Sequence, residues 1–165
     1  MTTAVPAEPS KPEIHFLPSH LGGTYSPLCG SVLGNIKASE QCKNLLEALD
    51  YFKNMKFIIT KANGDNGGRE INKIIDEFSE KNKDRIIAVH SLGSIKYLSA
   101  LKYSTMVIGN SSSGIIEAPF FKIPTINIGD RQKGRIQGKS IINCISYKNS
   151  IINAINMALS NEFKE

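Results

Sequence analysis

Three consecutive serines, Ser111 to Ser113, stand between the apolar run Met106-Val107-Ile108, closed by Gly109-Asn110, and the segment Gly114-Ile115-Ile116-Glu117-Ala118. Serine hydroxyls donate hydrogen bonds without bulk, and Gly114 lets a phosphate approach the backbone closely. Free N–H groups at a helix start favour an anion. Glu117, one turn further on, is placed to accept hydrogen bonds from a ribose diol. The next polar loop, Gly129-Asp130-Arg131, brings cations at Arg131, Lys133 and Arg135. Arginine holds phosphate in a bidentate way, and Arg131 lies nearest the strand end. Taken singly, the serines are ordinary helix caps and the cations ordinary loop charges. On neighbouring strand ends they read as a site for a nucleotide diphosphate.

Those loops need strands to carry them. Met106 to Ile108 and Pro124 to Ile128 read as short buried strands, with a helix beginning at Gly114 and finishing at Phe120-Phe121-Lys122. Upstream, Leu45, Leu46, Leu49 and Phe52 share one face of a helix over 40–53. A strand over 56–60 opens into the polar loop Lys61 to Gly68, which holds Asn63. Ile71, Ile74, Ile75 and Phe78 recur at helical spacing over 69–81. A strand over 85–89 leads to His90-Ser91-Leu92-Gly93, then to a helix over 94–102 expected to bury Ile95, Leu98 and Leu101. A strand over 140–144 and a helix over 149–159 end the pattern. Strands alternating with helices give a three-layer α/β, Rossmann-like domain with a parallel sheet and helices on both faces. Residues 1–38 are set apart as irregular or disordered, with Ile14-His15-Phe16-Leu17 as a candidate strand, and residues 39–165 form the nucleotide domain.

The stretch Gly109 to Pro119, followed by Ile123 to Arg135, resembles the hydrolysing UDP-N-acetylglucosamine 2-epimerases and their relatives acting on UDP-diacetamido sugars. Non-hydrolysing epimerases carry Asp-Ser-Gly-Gly at the matching loop. The resemblance runs from about Gln41 to the C-terminus. It implies the C-terminal, UDP-binding half of a GT-B-type fold, whose active site lies between two α/β domains. It also implies that Ser111, Ser112, Glu117 and Arg131 hold UDP, joined by Asn63 and by the backbone near Ser91 and Leu92, which faces the uracil. Ser113 completes the candidate UDP set from its hydroxyl alone. The reaction implied is elimination of UDP to a 2-acetamidoglucal and addition of water to give N-acetylmannosamine or a related amino sugar.

Elimination needs a base, and in the family carboxylates of the N-terminal domain and a histidine share that work. In ungapped register the histidine falls on Gly30, and His20 is a poorly spaced substitute, so no catalytic residue is assigned. His15 and His90 read as structural or solvated. The chain is therefore expected to be an epimerase half, inactive alone, that needs an N-terminal α/β domain in cis or trans. The alternative is a non-catalytic UDP-binding module, and a glycosyltransferase half is a weaker third.

Composition narrows the partners. A hydrophobic content of 41% over 165 residues suits one soluble domain, and a net charge of +5 with scattered lysines and no tryptophan gives no platform for nucleic acid. No run is apolar enough for a membrane helix. Cys29, Cys42 and Cys144 lack metal-ligand spacing and read as reduced thiols, so a cytoplasmic location is expected, with no metal and no cofactor. Cys42 and Cys144 read as packing residues.

Overall fold

The computed structural model describes residues 14–17, 37–62 and 66–160. Six parallel strands, β1 (Ile14–Leu17), β2 (Lys56–Thr60), β3 (Ile86–Val89), β4 (Ser104–Gly109), β5 (Thr125–Ile128) and β6 (Ile141–Cys144), lie in the order β3-β2-β1-β4-β5-β6. The chain winds outward from β1 to β3, then crosses back to β4 and winds the other way. The direction reverses between β1 and β4, and the crevice at the carboxyl ends of those two strands is where such sheets receive ligands. β1 comes from the segment set apart as irregular, and it occupies the centre of the sheet, paired with β2 and β4.

Alternation along each strand divides the side chains between two layers. Phe57, Ile59, Met106, Ile108 and Ile126 face α1 (Ala38–Tyr51), α2 (Asn66–Lys81) and α5 (Lys148–Leu159), where Leu45, Leu49, Ile71, Ile75, Ile151 and Ile155 complete the larger core. Cys42 is in this core and Cys144 packs against it. Burial pushes the Cys42 thiol up to about 12 and that of Cys144 to about 11, so both stay protonated. Arg85 secures this layer from below. It is buried, pairs with Asp50 at 2.6 Å, and donates to the carbonyls of Leu49 and Phe52 that end α1.

On the opposite face, α3 (Gly93–Tyr103), α4 (Ser112–Ile116) and a 3-10 turn (Ala118–Phe121) enclose a smaller core of Leu101, Val107, Ala118 and Ile123. Here one expectation fails. Leu101 is fully buried, but Ile95 is 83% and Leu98 43% exposed. α3 is apolar on several sides, and it turns Tyr97, Ala100 and Leu101 to the sheet instead. The helix expected to run from Gly114 to Lys122 is also interrupted. Pro119 near the start of the second part has no N–H to continue an α-helical ladder, and the backbone tightens into the 3-10 turn. Lys122, at φ 53°, closes it in a left-handed conformation before Pro124 leads into β5.

Candidate functional site

All strands point the same way, so the loops that follow β2, β3, β4 and β5 gather at one end of the sheet. β4 and β5 are neighbours in register, with Gly109 opposite Asn127. Their loops are joined directly: Gln132, 2% exposed, donates from Nε2 to the carbonyl of Asn110 at 2.7 Å. The serine loop and the loop bearing Arg131 are thus held side by side. Gln132 was invisible as a site residue in the sequence, where it stands among charged loop residues.

Ser111 is the N-cap of α4, and its Oγ accepts from the N–H of Ser113 at 3.3 Å. One serine of the three therefore does serve as a cap. Ser112 opens the helix, half-buried. Ser113 Oγ is enclosed and has no hydrogen-bond partner among the described residues, and neither has Asn110 Oδ1 or Gln132 Oε1. Unsatisfied buried polar atoms are rare in folded proteins, and three around one pair of strand tips fit a region made to meet a polar ligand. α4 has five residues, so its dipole adds little to any attraction for an anion.

Gly114 has a packing role that the sequence did not suggest. A Cβ there would lie 2.7 Å from Thr125 Cγ2, while Thr125 Oγ1 donates to the Gly114 carbonyl at 2.9 Å. The glycine lets α4 press against β5, which brings the serine loop down onto the sheet. Gly129 ends β5 with φ 73°, a turn that favours glycine and starts the Asp130-Arg131 loop.

Glu117 follows α4 at its C-cap, half-buried, with its N–H bonded to Ser113 O at 2.8 Å. Its carboxylate lies beside the phenol of Tyr97 on α3. Burial, then the nearby charge of Glu117, raises the phenol well above the ordinary tyrosine range. Tyr97 is a second residue that the sequence did not single out. Leu92, half-buried at the N-cap of α3, packs on the smaller core, and the preceding Ser91 accepts from Gly93 N at 3.2 Å. His90 is exposed.

Asn63, His20 and Gly30 lie outside the described residues. The approach to Asn63 is nevertheless anchored: Asn72 of α2 accepts from Ala62 N at 2.7 Å and donates to Ala62 O at 3.0 Å. Arg131 is exposed at the strand end. Lys133 and Arg135 instead line a cleft of about 570 Å³ that the loop forms with Asn143 and Cys144 of β6 and Ser150 of α5. Neither the serines nor Arg131 lines this cleft. Among the described residues no group of three His, Cys, Asp or Glu side chains converges as a metal site, and no helix is long and apolar enough to cross a membrane.

The sequence model of the UDP-N-acetylglucosamine 2-epimerase family matches residues 32–165, beginning upstream of Gln41. A GDP/UDP-N,N'-diacetylbacillosamine 2-epimerase (hydrolyzing) of Campylobacter jejuni is 46% identical over 142 residues, which are 86% of this chain and 36% of that protein. The polysialic acid biosynthesis protein P7 of Escherichia coli is 42% identical over 132 residues, covering 79% of this chain and 33% of its own length. The chain thus spans about a third of these curated relatives. Among solved structures, a UDP-GlcNAc 2-epimerase from Neisseria meningitidis bound to UDP-GlcNAc superposes with a TM-score of 0.66 at 12% identity, over 97% of this chain and 40% of that one. One from Methanocaldococcus jannaschii, in complex with UDP-GlcNAc and UDP, gives 0.64 at 17% identity, over 91% and 39%. The fold is the Rossmann-like domain of a GT-B-type architecture. By its sequence, this chain belongs to the UDP-N-acetylglucosamine 2-epimerase family.

Proposed function

We propose that the chain is the UDP-binding half of a hydrolysing UDP-N-acetylglucosamine 2-epimerase, holding a UDP-amino sugar by its nucleotide end while UDP departs. The observation that carries this is the Gln132–Asn110 bond, because it holds the serine loop and the Arg131 loop together at the tips of β4 and β5. Loss of UDP builds negative charge on the pyrophosphate, and donors already aimed at that charge lower the barrier without having to reorganise. Ser111, Ser112, Ser113 and Arg131 have that role here, Glu117 takes the ribose, and Asn63 and Leu92 border the nucleotide. Relatives named as hydrolysing 2-epimerases support the addition of water after elimination.

The proton at the sugar carbon requires a base. We assign it to an N-terminal α/β domain, joined in cis or supplied in trans; the chain's span of about a third of its curated relatives supports that assignment. The same span favours a second reading, a UDP-binding module with no turnover of its own. Incubation with UDP-N-acetylglucosamine, assayed for UDP and N-acetylmannosamine, tests the proposal. The isolated chain is expected to release neither, and addition of an N-terminal domain from a relative is expected to restore both. Turnover by the chain alone contradicts the assignment of the base. Binding of UDP with no turnover in any combination leaves the module reading.

A further inference from the structure

The cleft between the basic loop and the carboxyl ends of β5 and β6 measures about 570 Å³, within the range of small-molecule sites, roughly 300–1,000 Å³. Its cations are Lys133 and Arg135, against one acid, Asp130. α5 begins at its edge. Ser150, in the first turn of that helix, lines the cleft, and the turn has neither a capping side chain nor an acidic residue. The N–H groups that open a helix add positive potential. The cleft therefore favours an anion.

Amides make up much of the remaining lining. Asn127, 2% exposed, donates from Nδ2 to Asn143 Oδ1 at 2.7 Å, and Asn143 donates from Nδ2 to Gln137 Oε1 at 2.7 Å. This chain of amides ties β5 and β6 to the far end of the basic loop. It leaves Asn127 Oδ1 with no hydrogen-bond partner among the described residues, and an unmet acceptor on so buried a group is rare. A ligand that satisfies it must bring a donor, as a sugar hydroxyl does. We propose that the cleft is a second ligand site, for an anion carried on a polyol: a sugar phosphate or a sugar acid. The anionic group meets Arg135 and Lys133, whose charges suit phosphate and carboxylate alike. The hydroxyls meet the amides of Asn127, Asn143 and Gln137. The site is separate from the one assigned to the nucleotide, since Ser111, Ser112 and Arg131 do not line it.

Backbone and side-chain amide shifts of the 165-residue chain, titrated with D-glucose 6-phosphate, D-glucuronate, inorganic phosphate and D-glucose, test this. Saturable shifts are expected at Gly134, Arg135, Asn143 and Ser150 with an acidic sugar, at a half-saturation about tenfold or more below that of phosphate, and none with glucose. The tighter binder of glucose 6-phosphate and glucuronate identifies the anion as phosphate or carboxylate. Arg135→Ala is expected to weaken the acidic sugar and phosphate alike, by about tenfold. Asn127→Ala is expected to cut the advantage over phosphate to about threefold or less, and the exposed Asn143→Ala gives the same reading if the first variant does not fold. Equal half-saturation by phosphate and both acidic sugars, or binding unmoved by Arg135→Ala, overturns the site. Cleft shifts with UDP-N-acetylglucosamine but with neither acidic sugar make the cleft part of the nucleotide-sugar site and also overturn it. An advantage unchanged in the asparagine variants overturns the recognition of hydroxyls, and the polyol with it.

Discussion

Replacing Gln132 by alanine removes the bond that holds two loops together across 22 residues of sequence. The donor–acceptor distance is 2.7 Å and the side chain is 2% exposed, so water does not readily replace the lost amide. Leaving a buried carbonyl without its donor costs about 1–3 kcal/mol. If that energy serves to keep the Asn110 and Arg131 loops in their binding arrangement, a ligand that needs both must supply it. At about 1.4 kcal/mol per tenfold, UDP affinity falls by about 5- to 140-fold. Calorimetry on wild type and Gln132→Ala measures this, with circular dichroism confirming that the variant is folded. Coupling gives a sharper test. In the wild type, Ser112→Ala and Arg131→Ala should be non-additive, since one ligand spans both groups; in the Gln132→Ala background their effects should approach additivity. An affinity within about twofold of wild type would refute the reasoning, because the two loops would then be aligned without the bond.

Gly114→Ala places a methyl 2.7 Å from Thr125 Cγ2, and overpacking of this kind is expected to cost about 1–3 kcal/mol in a denaturant titration. On α3, Leu101→Ala should cost about 2–5 kcal/mol, whereas Ile95→Ser should change stability by no more than about 0.5 kcal/mol. Equal losses at the two positions would mean that α3 is rotated from the orientation described. Burial raises the Cys42 thiol from 9.0 to about 12, so its contribution to stability is whole below the unfolded thiol value and is lost as pH climbs towards 12. The stability gap between wild type and Cys42→Ala should therefore narrow over that range, which pH-dependent unfolding curves will show.

Much of the domain is legible in the sequence because its signals are local. Continuous apolar runs such as Met106-Val107-Ile108 mark strands buried on both faces, and the spacing of Ile71, Ile74, Ile75 and Phe78 marks α2. The serines, Glu117 and Arg131 stand out as polar groups after such runs. What escapes is whatever depends on a distant partner. The apolar character of Ile14 to Leu17 marks a strand, but its central place between β2 and β4 is a long-range pairing. α3 offers apolar residues on more than one face, so spacing marks Leu101 but could not choose Tyr97 over Ile95 and Leu98. Gly114 reads as room for a phosphate, and its close approach to Thr125, a second need for glycine, shows only in the fold. Gln132, with Arg131 and Lys133 on either side, resembles a solvated loop residue, and only the fold brings it to the Asn110 carbonyl.

Amide chemical-shift mapping with UDP tests most directly whether the tips of β4 and β5 form one diphosphate cradle. The account predicts saturable shifts at Asn110, Ser111, Ser112, Ser113 and Arg131 together, all lost in Ser112→Ala plus Arg131→Ala. Shifts confined to one of the two loops, or unchanged in the double variant, would contradict it.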